Sequence, residues 1–551
     1  MAGLRLLSSP SRQLIAGLAV VAVAVIVEII VLSSSSSGPP PRYVQSMFQD
    51  DDKLVYTSTA GATRTLDRLK RLGVDSIRVT MLWKAVAPQP TSTIPPAGFD
   101  ATNPAAYPAI DWAPYDRLVA LARARGIAVA FNVTAPGPLW AMARGAPAAR
   151  YADHWRPSAA AFGQFVAAVG RRYSGSYKPP GAGTALPPVR YWTIWNEPNQ
   201  PGWLAPQWET AGGQTSMLAP ALYRAYVGAA YQALASTGHQ PSTDTLLIGE
   251  LAPEGCEPGG PCVYARENRS IPPIPFVRAL YCLDSSYQPL TGGAAAQVGC
   301  PESGNPHTFV AANPGLFKAT GFAHHPYSFF LSPGASVPDP NFAPLSDLGR
   351  LEQALDSAFG AYGVGRRLDL FLTEYGYETN PPDPFRGVPP DVQALYLGEA
   401  AYIAWRDPRV RALSQFLLYD SPPDASFRPG TQGYWSTFQT GLLYQNGAAK
   451  PSYQAYRLPI FVPDPSVAKG AQMLIWAMLR PAPHNSSQHA QVQWQPAGGG
   501  GFRTLASVGT HNPNAVLVLR LTVPGTGTVR IAWRAPGGAV YHSREVGVRV
   551  G

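Results

Sequence analysis

The sequence predicts an α/β fold, a (β/α)8 barrel of the TIM type, followed by a small C-terminal β-sandwich domain. Three observations predict it. Eight short β-like runs alternate with amphipathic helical stretches along most of the chain. Those runs are nearly continuous in apolar residues, as in Ile127-Ala128-Val129-Ala130-Phe131, which is the pattern of strands covered on both faces in a parallel sheet. After Pro459 the pattern changes to alternating runs set apart by Gly, Pro and Asn turns, the pattern of a β-sandwich.

Taken in order, the barrel strands are expected at 43–48, 76–83, 127–134, 190–196, 245–251, 321–327, 368–375 and 413–420. The helical stretches 63–72, 115–125, 158–173, 218–236, 345–359 and 391–405 carry apolar residues at three- and four-residue spacing. Thr63, Ser158 and Asp391 stand where a helix start needs a polar cap. Eight alternating strands close a barrel. An open doubly wound sheet would need a phosphate or dinucleotide signature at its first turn, and the sequence carries none there. Pro/Gly/Ser-rich segments at 87–109, 252–314 and 378–390 follow the second, fifth and seventh strands. Barrel enzymes carry their active-site loops at those strand ends, and loops of this length suggest a walled pocket. In the tail, strands are expected at 492–495, 515–523, 528–534 and 540–550, with a turn at the Gly498–Gly501 tract. The chain thus divides into an N-terminal segment with a Ser/Pro linker (1–41), the barrel (42–458) and the sandwich module (459–551).

The 551 residues exceed what one hydrophobic core usually organises. An apolar content of 46% against 14% charged residues excludes wholesale disorder. The net charge of +9 comes from arginines scattered singly or in pairs, such as Arg171-Arg172 and Arg366-Arg367. That is a solvated basic surface and does not indicate a nucleic-acid partner. Arg5 and Arg12 precede an apolar run at 14–32, and Ser33 to Pro41 form a flexible exit. A positive flank before an apolar run marks an export signal, either a cleaved peptide or an uncleaved anchor. Both place the remainder of the chain outside the cytoplasm, secreted or membrane-anchored, with membrane contact only through this segment. The four cysteines, Cys256, Cys262, Cys282 and Cys300, fall in the fifth-strand insertion. In an exported chain they read as two disulfides. Three pairings are open, Cys256–Cys262 with Cys282–Cys300 being the most local. The spacings lack the short paired ligands of structural zinc.

Two strand ends carry the chemistry. Thr193-Ile194-Trp195-Asn196-Glu197-Pro198-Asn199 closes the fourth strand and Leu370-Phe371-Leu372-Thr373-Glu374-Tyr375-Gly376 the seventh. Glutamates at the same height on those strands face each other across a barrel mouth. Retaining glycoside hydrolysis needs two carboxyl groups about 5–5.5 Å apart. An isolated strand-end glutamate reads as half of a salt bridge, but two of them after apolar strands do not.

Trp195-Asn196-Glu197-Pro198-Asn199 and Thr373-Glu374-Tyr375-Gly376 resemble the two catalytic motifs of clan A glycoside hydrolases, families 5 and 39 and related actinobacterial secreted glycosidases in particular. The resemblance covers 43–457. It implies that Glu197 is the acid/base and Glu374 the nucleophile of a double displacement on β-O-glycosidic bonds of oligo- or polysaccharides. It also implies that Arg78 holds the nucleophile carboxylate, Asn196 binds the sugar 2-hydroxyl, and Tyr327 of His325-Pro326-Tyr327 bonds the nucleophile. His324 competes with His325 for the histidine position, and a core ion pair for Arg78 or simple packing for Tyr327 stands as the bland alternative. The clan's tryptophan at the end of strand eight is missing from Phe416-Leu417-Leu418-Tyr419-Asp420, so Tyr419 or Trp435 would have to floor the sugar site. Trp83, Trp140, Trp155, Trp203, Trp208, Tyr377 and Trp435 are candidates to stack on pyranose faces, with Trp83 and Trp435 foremost. The implied partner is a carbohydrate substrate, and no metal or organic cofactor is required. Two other readings remain: a non-catalytic carbohydrate-binding surface protein, and a transglycosylase that remodels surface glycans. The tail would bind polysaccharide, pack on the barrel or act as a spacer.

Overall fold

The computed structural model describes residues 43–256 and 268–551. The expected N-terminal export segment and Cys262 lie outside them. Among the described residues no helix is long and apolar enough to cross a membrane.

Eight parallel strands close a barrel: β1 (Gln45–Gln49), β2 (Ser76–Leu82), β3 (Ala128–Thr134), β4 (Tyr191–Ile194), β5 (Thr245–Leu251), β6 (Gly321–His324), β7 (Asp369–Leu372) and β8 (Val410–Phe416). Each pairs with its neighbours in sequence, and β8 closes on β1 with Gln45 opposite Ala412 and Gln49 opposite Phe416. A principal helix follows each strand: α1 (Thr59–Leu72), α2 (Ala109–Arg123), α3 (Ala159–Arg172), α4 (Ala219–Ser236), α5 (Pro273–Leu280), α6 (Leu348–Ala361), α7 (Pro390–Arg406) and α8 (Pro451–Arg457).

Local chemistry explains the helix limits. Ser58, five residues before the expected Thr63, caps α1 by accepting from the Gly61 N–H. The same helix stops at Gly73, which adopts φ +82°, a conformation that favours glycine. Ser158 caps α3 as its sequence suggests. α7 begins at Pro390, one residue before the expected Asp391, because proline suits the first helical position.

The barrel interior is filled by Met47, Ala130, Tyr191, Leu247, Ala323, Phe371 and Ala412, one from every strand except β2. β2 places Arg78 opposite Ala130 instead. The remaining core lies between strands and helices, which is why the strands are apolar on both faces.

The top loops are longer and more numerous than the three insertions expected. The segment after β4 forms a hairpin of Trp208–Ala211 and Gln214–Met217. After β8, the buried Lys450 Nζ lies 2.6 Å from Asp420, 2.8 Å from the Thr379 hydroxyl and 3.0 Å from the Gln439 carbonyl. One cation thereby ties the β7 and β8 loops together. In the β5 insertion Cys282 and Cys300 form a disulfide.

The tail is antiparallel, in two sheets. Gln472–Met478 pairs with Val516–Thr522 and with the short Ile460–Phe461. The second sheet is built on Gly527–Arg534, flanked by Gln488–Pro496 and Val546–Val550. The glycine tract turns Gln488–Pro496 back into Arg503–Thr510, a strand the sequence reading passed over, as it did Gln472–Met478. Leu458, Ile475, Trp494, Ile531 and Trp533 share their own hydrophobic cluster, yet 43–551 form one compact unit. The tail packs on the barrel. Asn514 accepts from the Val44 N–H and donates to the Val44 carbonyl, both at 2.8 Å. Arg480 donates to Ser46 and lies over the Tyr456 ring, and His484 lies 2.7 Å from Asp75. Val44, Ser46 and Asp75 sit at the N-terminal ends of β1 and β2, so the module packs on the end of the barrel opposite the C-terminal strand ends.

Candidate active site

The mouth is built from strand ends that turn sharply. Expected strands through 196, 327 and 375 stop instead at Ile194, His324 and Leu372. Trp195 and Glu197 take φ values of 66° and 38°, Glu250 takes 52° and Leu417 takes 70°. Left-handed backbone at non-glycine residues costs free energy and concentrates at functional sites. Its local effect is visible at β4. Trp195 turns outward to stack on Tyr226, with ring centroids 4.6 Å apart, while Asn196 and Glu197 stay with the barrel mouth. Asn199 is a staple: its side chain bonds the backbone of Ala252 and Ile271 and holds the β4 and β5 loops together.

Arg78, fully buried, organises the floor of the site. Nη1 donates to Glu374 Oε1 at 2.7 Å and to Gln49 Oε1 at 2.5 Å. Nη2 donates to Asn196 Oδ1 at 2.5 Å and to Glu250 Oε2 at 2.8 Å. Glu374 Oε2 accepts from the Tyr327 hydroxyl at 3.2 Å. Burial, then the charges of Glu374 and Glu197, hold the Tyr327 hydroxyl well above its ordinary range, so it stays a donor.

His325 is wedged among three carboxyl groups. Nδ1 lies 2.9 Å from Glu197 Oε1 and 3.7 Å from Glu374 Oε2, and Nε2 lies 2.6 Å from Glu250 Oε2. Burial alone would lower its pKa, but Glu374, Glu197 and Glu250 outweigh it and raise it to about 10. His324, the competing histidine, is equally buried but bonds the Ala343 carbonyl, and burial lowers it to about 4. His325 is therefore the histidine of the site, and His324 packs the loop behind it.

Donor atoms of Glu197, His325 and Glu374 all lie within 4.8 Å of one another. That spacing suits a cation on distance alone. Both ring nitrogens of His325 already face carboxylate oxygens, Nδ1 that of Glu197 and Nε2 that of Glu250. Glu197 and Glu374 are 20% and 12% exposed, enough for a substrate to reach both.

The residue missed by sequence reading is Glu250. It ends an apolar strand, next to Gly249, where a register shift against β6 marks a bulge. A glutamate inside Thr245-Leu246-Leu247-Ile248-Gly249-Glu250-Leu251 was the available signal.

The aromatic candidates need correction. Trp83 is fully buried: its ring stacks on Phe165 at 5.6 Å and meets Phe162 and Trp140, so no face is left for a sugar. Tyr377 is buried as well, donating to the Leu331 carbonyl. Tyr419 does not floor the site. Its hydroxyl accepts from Arg68 of α1, and Lys53 and Arg68 lie over its ring. The aromatic on the inward face of β8, in step with Ala412, is Phe416. Trp435 lies half-buried in the β8 loop against Tyr434. Trp140, Trp155, Trp203 and Trp208 are half-buried in the β2 to β4 side of the molecule.

No protein-family model matches the chain, and no curated protein matches it. Among solved structures the chain is similar to GH5_18 from Streptomyces cattleya in complex with GlcNAc, at 14% identity and TM-score 0.42 over 78% of this chain and 85% of that one. A single-substitution variant of GH5_18 from Bifidobacterium longum subsp. longum ATCC 55813 in complex with Manβ1-4GlcNAc is 14% identical, with TM-score 0.39 over 76% of this chain and 77% of that one. An exo-β-1,4-mannosidase from Opitutaceae bacterium strain TAV5 is 14% identical, with TM-score 0.38 over 76% and 59%. Likenesses of this size leave the chemistry to be read from the chain's own residues.

Proposed function

We propose that this chain is a retaining glycoside hydrolase that cleaves β-O-glycosidic bonds outside the cytoplasm, with Glu197 as acid/base and Glu374 as nucleophile. The observation that carries the reading is the pair itself. Two carboxyl groups from the ends of β4 and β7 have oxygens within 4.8 Å of each other, and each is oriented by buried donors. A pair this close suits double displacement, whereas an inverting pair stands wider to admit a water between them.

The neighbours support this division of labour. Arg78 and Tyr327 each engage one oxygen of Glu374, which aims that carboxylate without blocking the approach of an anomeric carbon. Glu197 touches His325 but not Arg78, and it is the more exposed of the two. The first step requires Glu197 to carry a proton and Glu374 to be ionised. In that step Glu374 attacks the anomeric carbon, the glycosidic bond breaks, and the Glu197 proton goes to the leaving oxygen. A covalent glycosyl-enzyme results. In the second step Glu197 takes a proton from water as the water oxygen displaces Glu374. Asn196, held by Arg78, would bond the sugar 2-hydroxyl. A sugar acceptor in place of water would make the same site a transglycosylase.

The test is turnover of aryl β-glycosides (gluco, xylo, manno, galacto and arabino) and of β-glucans, xylans and mannans, by the wild type beside its Glu374→Ala variant. Release abolished in the variant supports the reading. A folded wild type that is silent on the whole panel sinks it in favour of a binding protein.

A further inference from the structure

Glu250 has a role that follows from its position. It is fully buried, and its carboxylate Oε2 takes three donors: Arg78 Nη2 at 2.8 Å, His325 Nε2 at 2.6 Å and the Thr373 hydroxyl at 3.1 Å. Its own carbonyl accepts from the Glu197 N–H at 2.9 Å. Every strand end that carries a proposed catalytic glutamate is thus tied to this one residue: Glu197 through its amide, Glu374 through the adjoining Thr373, and both again through His325 and Arg78. The backbone pays for the placement with φ +52° at Glu250 and +105° at Gly249, where a β-carbon would collide with the Ala323 carbonyl.

We propose that Glu250 is the positioning residue of this site: its carboxylate keeps both protons on the His325 ring and orients the Arg78 fork, and through them it sets Glu197 and Glu374. This rests on the reading of those two glutamates as the acid/base and nucleophile. An imidazolium held on Nε2 by Glu250 presents Nδ1–H to Glu197 at 2.9 Å. Remove the charge at Glu250, and the ring loses one of the three carboxyl partners that keep it cationic, and the one that holds Nε2 and fixes its tilt. The charged and titratable groups around Glu250 are consistent with this. Arg78 and His325 face it directly, Tyr191 and Tyr223 lie near it protonated, and His324 behind it is held neutral by burial. Burial pushes the Glu250 carboxyl up, but Arg78 and His325 hold it at about 2.

The test uses the full chain with 13C-labelled histidine, the His325→Asn variant identifying the ring signal, beside Glu250→Gln. In the wild type the His325 ring is expected to keep both protons well above its ordinary 6.5, toward about 10. In Glu250→Gln its titration is expected to move down. There kcat is expected to fall about tenfold to a hundredfold with KM nearly unchanged, and the alkaline limb of the pH profile to move in the same direction. A wild-type ring that titrates near 6.5 overturns the proposal, as does a Glu250→Gln variant with wild-type kcat and pH profile. Should the wild type turn over no glycoside, the hydrolase reading fails while the two ring titrations still decide the role of Glu250. Should Glu250→Gln fail to fold, the wild-type titration decides it, together with Glu250→Asp, which keeps the charge but draws it back from His325 Nε2 and should move the ring down by less.

Discussion

Arg78 of β2 and Glu250 of β5 form an ion pair across the barrel interior, Nη2 to Oε2 at 2.8 Å, with both side chains fully shielded from solvent. Two strands, β3 and β4, stand between theirs in the barrel order. Burying such a pair is weak as a source of stability, because desolvation offsets the attraction. Its placement beneath two strand-end glutamates makes organisation of the mouth the better account of why it is there.

Breaking that pair from one side should be costly. Arg78→Met leaves the buried Glu250 and Glu374 carboxylates with His325 as their one cation and is expected to lower stability by about 3–5 kcal/mol, read by chemical denaturation. Arg78→Lys keeps the charge but cannot reach Gln49, Glu374, Asn196 and Glu250 together, so activity should fall more than stability.

The two glutamates should separate by leaving group. Glu197→Gln is expected to lower kcat/KM by about a hundredfold to ten-thousandfold on unactivated glycosides, and by much less on aryl glycosides whose leaving group needs no proton. Glu374→Ala should abolish both. NMR of the first-formed sugar should show the starting anomeric configuration; an inverted product would rule out Glu374 as nucleophile.

The pH window of the site follows from His325 and Glu250. His325 is raised from 6.5 to about 10, so its contribution to stability is complete below 6.5 and is lost as pH rises through about 10. Glu250 is lowered from 4.5 to about 2, so its contribution is complete above 4.5 and is lost as pH falls through about 2. The Tm difference between wild type and His325→Asn should therefore be flat from about 4.5 to 6.5 and shrink on both sides.

Docking of the tail should depend on Asn514. Asn514→Ala strands the buried N–H and carbonyl of Val44 and is expected to cost about 2–4 kcal/mol. Limited proteolysis between the barrel and the module should speed up accordingly; unchanged stability would show that the module docks by its other contacts.

The Cys282–Cys300 bridge closes a loop of sequence separation 18 in the β5 insertion. A Cys282→Ala/Cys300→Ala variant is expected to lose about 3 kcal/mol of stability. A wild-type Tm in that variant would show that the insertion is held by packing alone.

The order of strands and helices was legible in the sequence because it is a local property. Apolar run length and helical spacing depend on neighbours along the chain, and β2, β3 and β5 fall within a residue of their expected limits. Glu197 and Glu374 were legible for the same reason, as acids at the ends of apolar strands. Limits failed where the chain turns left-handed, at Trp195 and Glu197, since residue type does not report φ for tryptophan or glutamate. Strands Gln472–Met478 and Arg503–Thr510 were missed because pairing partners far along the chain define them.

What the sequence by itself determined is therefore the alternation of elements, the closure of the barrel and the two glutamates that end β4 and β7. Only the tertiary structure decided which side chains share the mouth with them. It placed His325 in the site and His324 behind it, buried Trp83 under α3, sent Tyr419 to the Lys53 and Arg68 side, and brought Glu250 beneath both carboxylates. The physical reason is that burial and charge pairing are set by groups tens to hundreds of residues away. A strand's own pattern states that a side chain is covered, but not by what.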